Sequence, residues 1–136
     1  MTTPAKPDQL SIKVVIRCHS FKESRRFYGE ILNLPVLEEW EEKGGQGCIF
    51  GFETGGSLEL YQMAPTEKRY DASFDRSFQD DKIDLQLKTG TLDTWIEGVK
   101  GQWPFNGPKT LPWGQRWIQL RDPDNLLVAI YEERTD

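Results

Sequence analysis

One order of secondary structure, strand–helix–strand–strand–strand, occurs twice along the 136 residues, and this repeat restricts the possible folds more than any other feature. Apolar side chains alternate with polar ones in the predicted strands and recur at helical spacing in the predicted helices. The elements of the first copy are 11–17, 21–33, 36–42, 46–53 and 57–62. The elements of the second copy are 82–88, 91–100, 105–111, 115–121 and 126–132.

The two copies also overlay in sequence. A shift of 70 residues places the stretch 58–62 on 128–132, and a shift of 69 places Lys13 on Lys82. Because both matches keep the order of the elements, we interpret them as a structural duplication within one domain, 11–133. The predicted parts of the chain are a disordered tail (1–10), module one (11–62), a linker (63–81) and module two (82–133).

Composition argues against several classes of function. The net charge is −5 and no basic stripe is present, which argues against a nucleic-acid partner. No apolar run approaches the ~20 residues that span a bilayer, so no membrane partner is expected. Residues 1–9 lack the apolar core of a signal peptide, and we expect a cytoplasmic protein. Cys18 and Cys48 form no C-x-x-C motif, and we expect both to be buried, reduced thiols.

Two regions carry a resemblance to a known family. The first is the helix sequence SRRFYGEILNLP at 24–35. The second is the turn RDPDN at 121–125, which follows PWGQR at 112–116 and precedes IYE at 130–132. Together they are similar to the vicinal oxygen chelate superfamily, which includes glyoxalase I, bleomycin-resistance proteins and extradiol dioxygenases. The resemblance implies an α+β fold, in which two βαβββ modules form a curved, partly open mixed sheet with helices outside.

The resemblance further implies that a ligand binds in the hollow of the sheet. It also implies a homodimer, because many members of the superfamily associate in pairs. Alternation along the first strand of each module predicts which side chains line which face. The residues expected on the helix-covered face are Ile12, Val14, Ile16, Ile83, Leu85 and Leu87. The residues expected to face the hollow are Lys13, Val15, Arg17, Lys82, Asp84 and Gln86.

Metal-dependent members carry one ligand on each of the first, fourth, fifth and eighth strands. By the resemblance, these positions fall on Lys13, Glu59, Lys82 and Ala129. Only Glu59 is a plausible ligand, because a lysine ammonium has no acceptor atom and alanine has no polar side-chain atom. We therefore expect no metal and no other cofactor. The single histidine, His19, is predicted to be a loop or capping residue.

Two interpretations remain open for the predicted cluster of Lys13, Glu59 and Lys82. In the first, Glu59 neutralises one lysine while the other lysine extends to water. In the second, the cluster is a residual positive site for a ligand carboxylate or phosphate.

Aromatic residues are the other signal, because rings offer a stacking surface to a planar ligand. Tyr61, Trp117 and Tyr131 are predicted to lie near the hollow, whereas Trp95 and Trp40 are predicted to pack in the core or a dimer interface. For Trp117, as for Trp113, packing remains an equal alternative.

Two charged features complete the candidate site. Arg116 lies in a stretch similar to the Trp-Gly-x-Arg of bleomycin-resistance proteins, and we interpret it as a support for the loop at the mouth of the groove. The charged run 38–43 is either a solvated strand and turn or, by the resemblance, an acidic groove edge for a cationic drug.

Two classes of function follow. We favour a metal-independent protein that sequesters or carries an aromatic small molecule. The alternative is a lyase, isomerase or dioxygenase-type enzyme that uses Glu59 as general base. The fold alone does not decide between them. The candidate ligand-binding residues are Lys13, Arg17, Glu59, Tyr61, Lys82, Asp84, Gln86, Arg116, Trp117 and Tyr131.

Overall fold

The computed structural model describes residues 8–64 and 77–133, which form two four-stranded sheets. The strands are β1 (Lys13–Arg17), β2 (Val36–Glu42), β3 (Gly45–Gly51), β4 (Ser57–Met63), β5 (Asp84–Lys88), β6 (Asn106–Thr110), β7 (Arg116–Arg121) and β8 (Leu127–Glu132). Their orders are β1-β4-β3-β2 and β5-β8-β7-β6. The first strand of each module runs parallel to the last, and the other neighbours are antiparallel. The predicted α+β fold of two βαβββ modules is confirmed.

The helix of module one is interrupted in a way that the sequence pattern did not predict. Helix α1 (Phe21–Arg26) begins after Ser20, whose hydroxyl accepts a hydrogen bond from the Glu23 amide at 3.4 Å. It continues as a π-helical segment, Phe27–Ile31, instead of a regular α-helix to residue 33. The wider turn accompanies complete burial of the adjacent rings of Phe27 and Tyr28. Helix α2 spans Leu92–Val99 in module two.

The strand register corrects the sequence overlay. Val14 pairs with Leu58 across β1 and β4, and Leu85 pairs with Val128 across β5 and β8. With Leu58 equivalent to Val128, the equivalent of Val14 is Leu85, so the first strands are related by a shift of 71 and not 69. Because the side chains of a strand alternate with period two, an error of two residues preserves every predicted face and leaves no trace in the pattern.

The core lies between the sheets and the helical segments and includes residues of both modules. Val14 and Ile16 of β1 pack in it, as do Leu85 and Leu87 of β5, so these four predicted faces are confirmed. Ile12 and Ile83 were predicted on the same face but are 70% and 65% exposed. Ile12 precedes β1 and Ile83 precedes β5, so both lie outside the strands whose apolar side chains pack in the core.

The contacts that join the modules involve the helical segment of module one. Tyr28 donates a hydrogen bond from its hydroxyl to Asp122 Oδ2 at 2.7 Å, and both residues are buried. The ring of Phe27 lies 5.0 Å from the ring of Trp103, measured between centroids. Asp122 Oδ1 in turn accepts two backbone amides at 2.8 Å, which fixes the turn between β7 and β8.

The predicted tail and linker lie largely outside the residues that the structure describes. These undescribed parts are 1–7 of the tail and 65–76 of the linker. Met63, predicted to begin the linker, is the last residue of β4. Among the residues described, no helix has the length and apolar character that a membrane crossing requires.

Candidate functional site

Each sheet has one face that points away from the helical segments, here called the open face. In module one, the contacts of β2 show which face of the sheet is the open face. Arg25 of α1 bonds Glu39 with 2.6 Å between Nη2 and Oε1, so Glu39 lies on the helix side and Trp40 on the open face. The charged run is therefore divided between the two faces, and it forms an exposed strand and turn, as the first of its two interpretations has it.

A row of four residues crosses the open face of module one. Arg17, Tyr61, Gly47 and Trp40 are cross-strand neighbours on β1, β4, β3 and β2. A Cβ atom on Gly47 would lie 2.4 Å from Cζ2 of Trp40, so the indole rests directly on the glycine backbone. Tyr61 donates its hydroxyl hydrogen bond to the Gly44 carbonyl at 3.0 Å. The ring of Trp40 and the phenol of Tyr61 are thus held in place at one end of the face.

An ion pair lies beside this row. Lys13 Nζ is 3.0 Å from Glu59 Oε1, with 48% and 16% of the two side chains exposed. The sequence predicted these two residues together, and the structure brings them into contact. Glu59 is a half-buried carboxylate with a cationic partner on the open face.

The equivalent row in module two has different chemistry. Lys88, Tyr131, Trp117 and Lys109 are cross-strand neighbours on β5, β8, β7 and β6. Lys109 Nζ lies 5.8 Å from the centroid of the Trp117 ring, within the range of a cation–π contact. Trp117 and Tyr131 are both partly exposed, so two aromatic rings lie side by side at the surface of this sheet.

Lys82 does not have the place that the sequence predicted. It precedes β5 in an exposed bend, and its backbone amide donates to Asp80 Oδ1 at 3.0 Å. The equivalent of Lys13 is Asp84, which accepts a hydrogen bond from Gln86 Nε2 at 3.2 Å. The predicted symmetry of two lysines around Glu59 is wrong, for the reason of register given above.

Arg116 also departs from its predicted role. Its guanidinium lies 2.8 Å from Asp93 Oδ1 and 2.8 Å from Glu132 Oε1. Asp93 belongs to α2, so Arg116 fixes that helix to β8 on the helix-covered side. The prediction that Arg116 contributes to the groove is wrong, because the alternation of β7 directs it away from the face that carries Trp117.

A divalent metal of the kind that the superfamily holds does not fit this donor set. With the corrected register, the four ligand positions are Lys13, Glu59, Asp84 and Ala129. The carboxylate of Glu59 is paired with the ammonium of Lys13, and the side chain of Ala129 has no atom that could bind a metal ion. Within 8–64 and 77–133, no three His, Cys, Asp or Glu residues cluster as metal ligands would.

His19 has a more definite place than a loop residue. Its backbone amide donates to Asp124 Oδ1 at 3.2 Å, and its Nδ1 lies 2.5 Å from the same oxygen. The hydrogen bond to Asp124 raises the pKa of His19 above its usual value, although partial desolvation opposes the shift. His19 therefore holds the end of β1 to the β7–β8 turn of the other module. Sequence reasoning missed this role because the partner is 105 residues away.

The cysteines are buried free thiols, as predicted. Burial raises the pKa of Cys18 to about 12 and that of Cys48 to about 11. Both thiols are protonated near neutral pH, which argues against either cysteine as a nucleophile.

Residues 11–134 match the model of the glyoxalase-like domain, and the chain belongs to that family, in agreement with the predicted membership of the vicinal oxygen chelate superfamily. No curated protein matches the chain.

Three solved structures share the fold. A protein of unknown function from Agrobacterium tumefaciens is 18% identical, with 95% of this chain and 98% of that one covered and a TM-score of 0.72. TnmS3, an antibiotic binding protein from a Streptomyces species, is 18% identical over 96% and 100% of the chains, with a TM-score of 0.69. A glyoxylase/bleomycin resistance protein/dioxygenase domain from a Frankia species is 17% identical over 96% and 100%, with a TM-score of 0.66.

Proposed function

We propose that this protein binds a planar aromatic small molecule on its open faces, without a metal ion. One observation carries the proposal: the equivalent rows of both modules present two aromatic rings, Trp40 and Tyr61 in one and Trp117 and Tyr131 in the other. Trp40, Trp117 and Tyr131 are partly exposed and are not part of the buried core, whereas Tyr61 is buried. Exposed rings that serve no core are the residues expected at a ligand site.

The way the rings are held supports a stacking role. Trp40 lies on Gly47, and Trp117 lies beside Tyr131 in a regular strand pair. Rings already fixed in the free protein lose little conformational entropy when a ligand stacks on them. A planar ligand therefore gains most from such a surface.

Charge near the rings suits an acidic group on that ligand. Lys13 remains 48% exposed although it bonds Glu59, and Lys109 lies over the Trp117 ring. Either ammonium has donors left for a ligand carboxylate or phosphate. We therefore keep the second of the two interpretations, a positive site for a ligand carboxylate or phosphate. Lys109 takes the role that was predicted for Lys82.

The antibiotic binding protein TnmS3 supports the class of function, because a chain of the same fold binds a small molecule. We also propose that this protein is a cytoplasmic homodimer. The buried reduced thiols favour a reducing compartment. Among the described residues, strands β2 and β6 each pair on one side only, and association could cover the other edge. Light scattering at micromolar concentration should report the mass of two chains; the mass of one chain at every concentration would contradict the dimer.

The test is a titration with 2-naphthoate, a planar aromatic acid. It should quench tryptophan fluorescence saturably, and Trp117→Ala should weaken binding by roughly 1–3 kcal/mol. Trp113→Ala is the matched control, because Trp113 is 73% exposed in the turn before β7. Equal affinity in the wild type and Trp117→Ala would contradict the proposed site.

Variants at two lysines test the charge. Lys13→Met should weaken 2-naphthoate binding and make the remaining affinity less sensitive to salt. Lys82→Met is the control, because Lys82 lies in an exposed bend before β5, and it should leave the affinity unchanged. A loss of affinity in Lys82→Met but not in Lys13→Met would show that Lys82, and not Lys13, contacts the ligand.

The enzyme alternative rests on Glu59, the half-buried carboxylate of the open face. Glu59→Gln should change 2-naphthoate affinity modestly in a binding protein. If the protein is an enzyme with Glu59 as base, the same variant should abolish product formation on its substrate while binding persists. Elemental analysis of protein purified without nickel should find well below one metal ion per chain, whichever class is right.

A further inference from the structure

The modules meet at two places that are equivalent by register, and the two differ. At each place, the hairpin turn of one module meets the start of the helix of the other. The equivalents of His19 and Tyr28 are Gly90 and Val99, and the equivalents of Asp122 and Asp124 are Phe52 and Thr54. The hydrogen bonds Cys18 N to Tyr61 O and Thr89 N to Tyr131 O continue this alignment past β1 and β5. In the hairpins, Phe52 N to Gly56 O matches Asp122 N to Leu126 O.

The first place, here called the closed seam, is filled by His19, Tyr28, Asp122 and Asp124 with the rings of Phe27 and Trp103. Tyr28 is fully buried, and Asp122 and Asp124 are 4% and 2% exposed. Polar side chains with hydrogen-bond partners thus occupy the space between the modules.

The second place, here called the open seam, contains two cavities of about 430 Å³ each. They adjoin, because Phe52, Glu53, Leu87 and Lys88 line both. Gly90 replaces the imidazole of the closed seam, and a Cβ atom placed on Gly90 would meet no atom within 4 Å. Gly90 and Thr54 are smaller than their equivalents His19 and Asp124, and the cavities lie beside them.

The lining of the cavity nearer the helices indicates the ligand chemistry. Its apolar surface comes from Leu32, Leu34, Phe52, Leu87, Trp95 and Ile130. Two charged residues also line this cavity. Lys88 is paired with Glu133 at 3.1 Å, and Glu53 is exposed to solvent. The hydroxyls of Thr89 and Thr91, 3.3 Å apart, are the neutral polar groups. A volume of about 430 Å³ is typical of small-ligand pockets.

We propose that the open seam is a second binding site, for a neutral, mainly apolar small molecule with at most one hydrogen-bonding group. The apolar body lies on Leu34, Phe52 and Trp95, and the polar group meets the hydroxyl of Thr89 or Thr91. This site differs from the open faces, because its apolar lining packs with the core on the helix-covered side; Lys88 is the lining residue that it shares with an open-face row. It goes beyond the function proposed above and does not depend on it.

The probe is N-phenyl-1-naphthylamine, a neutral apolar fluorophore that brightens in apolar surroundings. It should bind the wild type saturably. Gly90→Trp should weaken binding about tenfold or more, because the indole occupies the open space beside Gly90. Gly98→Trp is the matched control: Gly98 is exposed on α2, lines neither cavity and also leaves its added Cβ free of contacts.

Two further measurements separate this site from the open faces. Trp117→Ala should leave the affinity for the probe unchanged. In a methyl NMR titration of the wild type, the signals of Leu34, Leu87 and Thr89 should shift, whereas Leu127, on the open face of module two, should not. The proposal is overturned if the wild type does not bind the probe, if Gly90→Trp binds it as tightly as Gly98→Trp does, or if the Leu127 signal shifts in place of the others.

Discussion

The closed seam and the open seam begin from one architecture and end with opposite properties. Both join a hairpin turn to the start of a helix, yet one is filled by a hydrogen-bonded network and the other contains a cavity. The network requires Asp122 and Asp124 in one hairpin and His19 and Tyr28 in the other module. The repeated module therefore determines the path of the backbone at both junctions. A few side chains determine whether a junction is filled by hydrogen-bonded residues or contains a cavity.

The largest expected effect contrasts one phenylalanine at each seam. Phe27 is fully buried against Tyr28 and Trp103, with ring centroids at 4.8 and 5.0 Å. Phe27→Ala should lower the free energy of unfolding by about 3–5 kcal/mol, the usual cost of deleting a buried ring. Phe52→Ala should cost about 1–2 kcal/mol, because Phe52 is only partly buried beside an existing cavity. Urea denaturation measures both, and equal losses would mean that the seams do not differ in packing.

The next effect concerns the buried hydroxyl at the closed seam. Tyr28→Phe leaves Asp122 Oδ2 without its donor in a buried position, and we expect a loss of about 1–3 kcal/mol. Tyr131→Phe is the matched control on the open face, where the residue is partly exposed and a loss below about 0.5 kcal/mol is expected. A neutral Tyr28→Phe would show that the hydrogen bond contributes nothing to the junction.

The third effect is a pH dependence that only the closed seam should have. The pKa of His19 is raised above its usual 6.5, first by the hydrogen bond to Asp124. A raised pKa in the folded state means that protonation favours folding. The stabilisation is therefore complete below about pH 6.5 and is lost as the pH rises through the folded-state value.

His19→Gln should remove this dependence. Because His19 is about one third exposed, we expect the wild type to lose no more than about 1 kcal/mol relative to the variant between pH 6 and pH 9. The measurement is urea denaturation across that range. Parallel curves for the two proteins would exclude a role for His19 in coupling the modules.

The sequence predicted the modules and most of the faces because alternation and capping are local. The resemblance to the superfamily placed Lys13 beside Glu59 correctly. The prediction failed where a distance along the chain had to be exact, as for Lys82 and Asp84, because a shift of two residues does not alter the alternation. Trp40 was predicted to pack in the core or a dimer interface, but it lies on the open face. The alternation of Glu39, Trp40 and Glu41 shows that neighbouring residues lie on opposite faces, but it does not show which face the helix covers.

The seams could not be predicted at all. Each is formed by residues from both modules, and His19 is 105 residues from Asp124. No local pattern distinguishes Gly90, which leaves a cavity, from a glycine in any other loop. The difference emerges only when the register fixes which positions are equivalent.

The smallest expected effect separates the two hairpin turns that reach the seams. Asn125 has a φ of 65° and Gly55, its equivalent, a φ of 101°. Asn125→Gly keeps an accessible conformation and loses the hydrogen bond from Asn125 Nδ2 to the Phe78 carbonyl at 3.1 Å, so it should cost about 0.5 kcal/mol. Gly55→Asn places a side chain at a φ beyond the usual left-handed region and should cost about 1 kcal/mol, although open space surrounds its Cβ. Thermal unfolding of the two variants tests this asymmetry. Equal costs would mean that the two turns share one backbone preference and that the seams differ in their side chains alone, and a larger cost at Asn125 would contradict the proposed asymmetry.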